Sequence, residues 1–238
     1  MNQNNGLMGR RRFLTLTGTG GMALGAAVMG SVFWSMQSDQ AIAASLESPN
    51  PDAALKRLLD GNQRFVKQKS KHPDQSRSRI KEVAQAQHPF ATVLSCADSR
   101  VTPEILFDEG IGDLFDIRVA GNIVTPEVLG SLEYAVAILG TPVLMVLGHE
   151  RCGAVTAAVQ GERLPGHIGS FVKPIKPVIS RTKGQPGDPV DNAVIANVQY
   201  QLEKLKRSSP ILSGRSQEGK LKIVGGRYDL DTGEVTLI

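Results

Sequence analysis

Phe90-Ala91-Thr92-Val93-Leu94-Ser95-Cys96-Ala97-Asp98-Ser99-Arg100 and Val143-Leu144-Met145-Val146-Leu147-Gly148-His149-Glu150-Arg151-Cys152-Gly153 follow the same plan. Each begins as a short apolar run and ends in a polar one. An apolar run of this length, bounded by turn residues, reads as a strand buried on both faces, the kind a parallel sheet uses. Beyond these two stretches, strand-like and helix-like patterns alternate. Residues 114–119 read as a strand. Residues 126–139 read as a helix with Val128, Leu129, Leu132, Ala135, Val136 and Leu139 on its apolar face. A helix is expected over 152–160 and a long one over 191–206, with a Gly/Pro-rich loop and a short helix between them. Residues 221–226 and 235–238 read as strands joined by the hairpin signal Asp229-Leu230-Asp231-Thr232-Gly233. The alternation predicts an α/β fold: a mainly parallel β-sheet flanked by α-helices, with an antiparallel edge strand.

Ahead of the sheet, Leu55, Leu58, Leu59, Phe65 and Val66 recur at helical spacing behind Asp52. This amphipathic helix suits packing on its own domain and packing on a partner subunit equally well. A short helix is expected over 79–87, stopped by Pro89. The N-terminus reads as a targeting segment: Arg10-Arg11-Arg12-Phe13-Leu14 fits a twin-arginine pattern, a weakly apolar run follows to Trp34, and Ala41-Ile42-Ala43-Ala44 fits a cleavage site. Residues 1–43 are therefore expected to be a signal peptide. Residues 44–238 would form the functional domain, with a helical arm over 51–88 and an α/β core over 89–238. Export to the periplasm is the expected destination, with a thylakoid lumen or cell surface as alternatives. A retained anchor competes, but glycine and threonine make the run a poor spanning helix, so no stable membrane insertion is expected after cleavage.

The net charge of +4 gives no argument for nucleic acid, because half of it lies in the segment containing Arg10, Arg11, Arg12 and Asp39. The basic stretch from Lys67 to Lys81 lacks interleaved aromatic residues and reads as a solvated loop.

The polar ends of the two opening stretches hold both cysteines of the chain and one of its four histidines. Zinc accepts thiolate and imidazole readily, and its catalytic sites combine three protein ligands with an open position. His149 and Cys152, at i and i+3 across a strand-to-helix turn, can converge on one point with Cys96 from the end of another strand. Open α/β sheets place their sites at such carboxyl ends. Two readings compete: a Cys96–Cys152 disulfide, which an oxidising compartment would favour, and a closed structural zinc with Asp98 as fourth ligand. Asp98 and Arg100 form an ion-pair candidate. Beside a metal the arginine can hold the carboxylate ionised while the carboxylate accepts a proton from water. Arg118-Val119-Ala120-Gly121-Asn122 reads first as a tight strand-to-helix turn, and His167 as a surface histidine.

Cys96-x-Asp98-Ser99-Arg100, Arg118-x-Ala120-Gly121-Asn122 and His149-x-x-Cys152-Gly153 together resemble the β-class carbonic anhydrases. Gly130-Ser131-Leu132-Glu133-Tyr134-Ala135-Val136 and Tyr228-Asp229-Leu230-x-Thr232-Gly233-x-Val235 extend the likeness. The resemblance runs from about Pro51 to the C-terminus. It implies zinc held by Cys96, His149 and Cys152, one ion per subunit, and reversible hydration of CO2 to bicarbonate and a proton. By the same resemblance Asp98 and Arg100 are the catalytic dyad, Gln87 and the Gly153 N–H are substrate contacts, and Asp98 can become a fourth ligand in a closed state. It also implies a homodimer or higher homo-oligomer with pocket residues contributed across the interface. Two thiolates cancel the formal charge of zinc, so water should be acidified less than by a three-histidine site, and activity should climb toward alkaline pH. The alternatives are hydrolysis of carbonyl sulfide or carbon disulfide on the same scaffold, or an exported zinc- or bicarbonate-binding protein without turnover.

Overall fold

The computed structural model describes residues 50–161 and 163–238, so the export segment expected over residues 1–43 lies outside the described residues. Helix α1 (Pro51–Val66) starts where the Asn50 side chain accepts a hydrogen bond from the Asp52 N–H at 2.8 Å and Pro51 supplies a helical φ. The chain continues through α2 (Arg77–Val83), β1 (Ala91–Ser95), α3 (Pro103–Leu106), β2 (Leu114–Arg118), a single 3-10 turn (Ala120–Asn122), α4 (Pro126–Ala137) and β3 (Val143–His149). Then come α5 (Gly153–Gln160), α6 (Gly169–Val172), α7 (Lys176–Thr182), α8 (Pro189–Ser208), α9 (Pro210–Gln217), β4 (Lys222–Tyr228) and β5 (Val235–Leu237).

The five strands lie in the order β2-β1-β3-β4-β5, all parallel except β5, which runs antiparallel to β4. Every residue of β1 and β3 is buried, as their unbroken apolar runs require. Side chains alternate between two cores. Ala91, Val93, Val143, Met145 and Leu147 pack with Ala54, Leu55 and Leu58 of α1 and with Phe107. Leu94, Leu144 and Val146 pack with Val128 and Leu132 of α4, Val198 and Leu205 of α8 and Leu212 of α9. Gly148 lets α8 lie close to β3, because a Cβ there would come within 2.6 Å of Val198 Cγ2. From β1 the chain moves to one side of the sheet and from β3 to the other, so the carboxyl ends of β1 and β3 bound the switch point where open α/β sheets leave a crevice.

The expected architecture is the observed one, with differences at the edges. The helix expected over 79–87 is Arg77–Val83: the Ser76 hydroxyl caps it by accepting from the Arg79 N–H at 3.1 Å, and the chain leaves helical geometry well before Pro89. Arg79 donates to the Ile111 carbonyl and faces Asp113, so one cation of the basic stretch is structural rather than solvated. Helix α9 has no counterpart in the sequence reading.

Helix α1 packs on its own domain. Asn62, 1% exposed, donates from Nδ2 to the Leu106 and Gly233 carbonyls at 3.0 and 2.9 Å and accepts from the Val235 N–H at 2.8 Å. One amide thus ties α1 to the end of α3 and to the β4–β5 hairpin. Replacement by Leu would leave two carbonyls and an N–H without partners in the interior. Each stranded group costs about 1–3 kcal/mol, so urea unfolding of Asn62→Leu should show a loss of at least ~2 kcal/mol. Parent-like stability would mean that this amide does not hold the helix.

Candidate metal centre

Cys96 is the first residue beyond β1, and His149 is the last residue of β3. Ser95 lies opposite Leu147, so β3 continues two residues past the end of β1 to His149, alongside the turn that begins at Cys96. Two residues after His149 the backbone turns through Arg151 at φ 48°, and Cys152 caps α5. The two sulfurs come to 3.9 Å of each other, and with a ring nitrogen of His149 they lie within 4.8 Å. Both cysteines are free, and both are buried.

The orientation of His149 follows from its neighbour. Its Nδ1 lies 2.8 Å from the Glu150 carbonyl oxygen, which can only accept, so Nδ1 carries the proton. In the neutral ring Nε2 is then a bare lone pair. His149 is 0% exposed, and Nε2 has no hydrogen-bond partner among the described residues. A buried lone pair without a donor is costly unless something electrophilic meets it. The sulfur spacing fits the same conclusion, since two thiolates at about 2.3 Å from one tetrahedral zinc sit about 3.8 Å apart.

The sulfurs are electrostatically unequal. The Cys152 thiol donating to Cys96, aided by the neighbouring His149 ring and by the Gly121 and Asp98 N–H groups, pushes Cys96 toward thiolate against the effect of burial. Cys152 is pushed up by the neighbouring Cys96 sulfur and by burial, although the Val155 and Ala154 N–H groups favour its thiolate. The pair therefore shares a proton, which a dication in its place would displace to leave two thiolates.

Asp98 lies beside this triad, its Oδ2 3.9 Å from His149 Nε2. Arg100 holds it with Nε to Oδ1 at 2.9 Å, Nη2 to Oδ2 at 2.8 Å and its own backbone N–H to Oδ1 at 3.0 Å. This fork keeps the carboxyl well below the usual carboxylate range. Arg118 completes the frame, donating from Nε to the Cys96 carbonyl at 3.1 Å and from Nη2 to the Asp98 carbonyl at 2.6 Å. Gly121 sits at φ 74° with its N–H 3.3 Å from Cys96 Sγ, and a Cβ there would meet Ile175 Cδ1 at 2.7 Å. The Arg118–Asn122 run is thus a tight turn and also a brace for the site.

Cys96, His149, Cys152, Asp98 and Arg100 come together at the carboxyl ends of β1 and β3. Gly153 is next to them, as the first residue of α5. Gln87 does not join them within one chain: it is exposed, and it precedes β1. That strand separates it from Cys96 by five residues, which at about 3.3 Å each span about 17 Å. Three supporting residues escaped the sequence reading. Arg118 was visible in its motif but not its grip on two carbonyls. Glu150 is held by Arg227 at 2.5 Å and by the Leu230 N–H at 3.1 Å, which fixes the peptide that orients His149. Asn197 reaches the Gly121 carbonyl from α8. A further acidic group, Glu150, Asp229 and Asp231, is already matched by Arg227 and Arg151.

Residues 91–235 match the family model described as carbonic anhydrase. Carbonic anhydrase 2 of Mycobacterium tuberculosis is 40% identical over 196 residues, which cover 81% of this chain and 95% of that protein. Carbonic anhydrase of Pseudomonas aeruginosa is 34% identical over 193 residues, covering 76% and 86%. Among solved structures, the β-carbonic anhydrase CcaA superposes with TM-score 0.63 at 28% identity, covering 78% of this chain and 87% of the other. The Coccomyxa β-carbonic anhydrase in complex with acetazolamide gives 0.60 at 30% identity, covering 67% and 76%. Two tetrameric β-carbonic anhydrases of Sordaria macrospora share the fold at TM-score 0.62 and 24% identity, covering 67% and 85%.

A depressed carboxyl keeps the Asp98–Arg100 pair intact above the ordinary carboxyl pKa and releases it only as pH falls through the lowered value. Carbon-13 NMR should therefore find the Asp98 carboxyl untitrated down to the acid limit of the folded protein. In Arg100→Leu it should titrate nearer the ordinary value of about 3.9. An unchanged titration in the variant would mean the fork does not set the charge.

Proposed function

The chain belongs to the β-class carbonic anhydrase family, and on that premise we propose that Cys96, His149 and Cys152 hold one zinc ion per subunit for the reversible hydration of CO2 to bicarbonate and a proton. The chain is a carbonic anhydrase, a zinc-dependent lyase. The observation that carries the site assignment is the buried, unpartnered His149 Nε2 facing two free thiols at metal-ligand spacing.

Bound zinc supplies the Lewis acidity that makes water nucleophilic near neutral pH, as it does in carbonic anhydrases with three histidine ligands. The protein's own groups do the rest. Asp98 stands beside the ligands with a lone pair on Oδ2 and accepts the proton that the attacking water gives up. Arg100 keeps that carboxylate ionised and aimed, and Arg118 fixes the backbone on which both ends of the dyad hang. The Gly153 N–H, at the amino end of α5, donates to a bicarbonate oxygen, and no protein atom lies within 4 Å of where a Cβ would stand on that residue. The Gln87 amide reaches the substrate from a second subunit, since its own strand carries it away from its own zinc.

A homodimer or higher oligomer is supported by the open edge of β2. Ile105 is 59% exposed and Ile138 54%, with Ile111 and Tyr134 also exposed on the elements that flank that strand. Apolar residues clustered along an unpaired edge mark an association surface. Export by the twin-arginine route to the periplasm rests on the Arg10-Arg11-Arg12-Phe13-Leu14 pattern and the small-residue boundary at Ala41–Ala44, with residues 44–238 as the mature enzyme. A route for folded cargo would let zinc be loaded before export.

Stopped-flow CO2 hydration with metal analysis tests the site. The native protein should carry one zinc per chain, with kcat/KM rising between pH 6.5 and 9. Cys152→Ser should lose both zinc and activity. Asp98→Ala should retain zinc and lose on the order of 100-fold in rate, as expected for removal of a general base. Full activity in Cys152→Ser would overturn the assignment. Sedimentation should give a dimer or larger for the native chain and a monomer for Ile105→Glu/Ile138→Glu; an unchanged assembly would place the interface elsewhere.

A further inference from the structure

Helix α8 has a buried face made of Ala193, Val194, Asn197, Val198, Gln201 and Leu205. Asn197 and Gln201 interrupt an otherwise apolar stripe and are 1% and 0% exposed. Burying two primary amides is unfavourable unless their hydrogen bonds are made, and alanine or leucine would pack there without that demand. Their partners therefore say what they are for.

Asn197 Nδ2 donates to the Gly121 carbonyl at 2.9 Å. Gln201 Nε2 donates to Asn197 Oδ1 at 2.9 Å, and Gln201 Oε1 accepts from the Val124 N–H at 2.9 Å. Lys204, one turn further along α8, donates to the Val124 carbonyl at 2.6 Å. Three of these four bonds end on the segment between β2 and α4, and the fourth ties Gln201 to Asn197, so that the two amides form a line to Gly121, whose N–H points at Cys96 Sγ.

That segment needs holding. Gly121 and Asn122 are consecutive left-handed residues, at φ 74° and 44°, a conformation that these two residue types tolerate without being confined to it. Glycine at the first position leaves the peptide free to swivel, which would take the N–H off the sulfur. The N–H belongs to the Ala120–Gly121 peptide and the carbonyl to the Gly121–Asn122 peptide, so anchoring the carbonyl restrains the glycine dihedrals about which the N–H could otherwise turn away.

We propose that Asn197 and Gln201 are positioning residues for the metal centre: through the Gly121 peptide they hold one N–H on the Cys96 sulfur and so set how much electron density that ligand gives the metal. An N–H donated to a thiolate lowers its donor strength, and partners behind metal ligands typically alter metal affinity by about 10–100-fold. The inference rests on the zinc assignment made above.

Cobalt-substituted holoenzyme provides the readout, because a sulfur-to-cobalt charge-transfer band reports the donor strength of the thiolates. In Asn197→Leu the freed sulfur donates more strongly, so the band should move to lower energy. Asn197→Asp, which still accepts from Gln201 but offers the Gly121 carbonyl no donor, should move it in the same direction, and Gln201→Met by less. Transfer of zinc to a chromophoric chelator should change by about tenfold in Asn197→Leu. Val198→Ala removes packing from the same turn of the helix and should lower stability while leaving the band in place. A native band in folded Asn197→Leu or Asn197→Asp overturns the proposal, as does an equal shift in Val198→Ala. If neither Asn197 variant folds, Gln201→Met decides on the same reading: a shifted band supports the proposal and a native band overturns it. A native protein with no sulfur-to-cobalt band would instead overturn the zinc assignment itself, and this proposal with it.

Discussion

The parallel pairing of β1 with β3, in the register that sets Ser95 opposite Leu147, is the constraint on which the rest of this protein depends. It brings the ends of two strands separated by more than forty residues of chain together, so that Cys96, just past β1, and His149, the last residue of β3, reach the same point in space. A slip of one residue would turn the inward-facing set outward and move Cys96 to the wrong face. Two independent cores oppose the slip. Val93, Met145 and Leu147 are committed to the α1 side, and Leu94, Leu144 and Val146 to the α8 side. The metal centre is therefore positioned by packing that extends far from it, and the apolar residues that do so have no chemical role themselves.

At the strand ends, the backbone takes over from the core. Peptide groups aim donors at the sulfurs or orient the imidazole: Gly121 and Asp98 at Cys96, Ala154 and Val155 in the first turn of α5 at Cys152, and the Glu150 carbonyl at His149 Nδ1. The Glu150, Gly121 and α5 peptides are held by a side chain or a helix rather than by solvent. Arg227 fixes Glu150, Asn197 fixes Gly121, and α5 carries its own N–H groups in helical geometry. Among the described residues His149 Nε2 is left without a partner where it faces the two sulfurs, which is the feature that favours a metal over a self-sufficient polar cluster.

Much of this was legible in the sequence, for a physical reason. The strands of a parallel sheet are apolar on both faces, so they stand out as unbroken runs, and the chain has only two cysteines to place at their ends. The grouping of Cys96, His149 and Cys152, the Asp98–Arg100 pair and the hairpin between β4 and β5 could be read because each lies at a strand end or turn marked by its own local pattern. What escaped depends on distant partners. Asn197 bonds a carbonyl 76 residues away, and nothing in the local pattern of α8 says which carbonyl it meets. Helix α9 contains Gly214 and buries only Leu212, and its start is fixed by Ser209, which caps Leu212 and donates to Glu133 on α4. Gln87 could be named from its spacing to Cys96, but within one chain it stands exposed and away from the cysteines.

Charge explains why these pieces suit one another on the proposed reading. Two thiolates neutralise the formal charge of zinc, and Arg100 neutralises Asp98, so the reacting region carries almost no net charge. A neutral, linear CO2 molecule has no need of a charged pocket, and an anionic product is released more readily from a centre that does not attract it by net charge. What remains to hold bicarbonate is directional: a backbone N–H at Gly153 and an amide from across the subunit boundary. The same neutrality weakens the acidification of water, which makes a fully ionised neighbouring base more useful. Arg100 aims that base, gripping the Asp98 carboxylate through both oxygens while leaving Oδ2 beside His149. The dyad and the thiolate ligands thus answer a single requirement, to generate a nucleophile at a weakly charged metal without retaining the anion it produces.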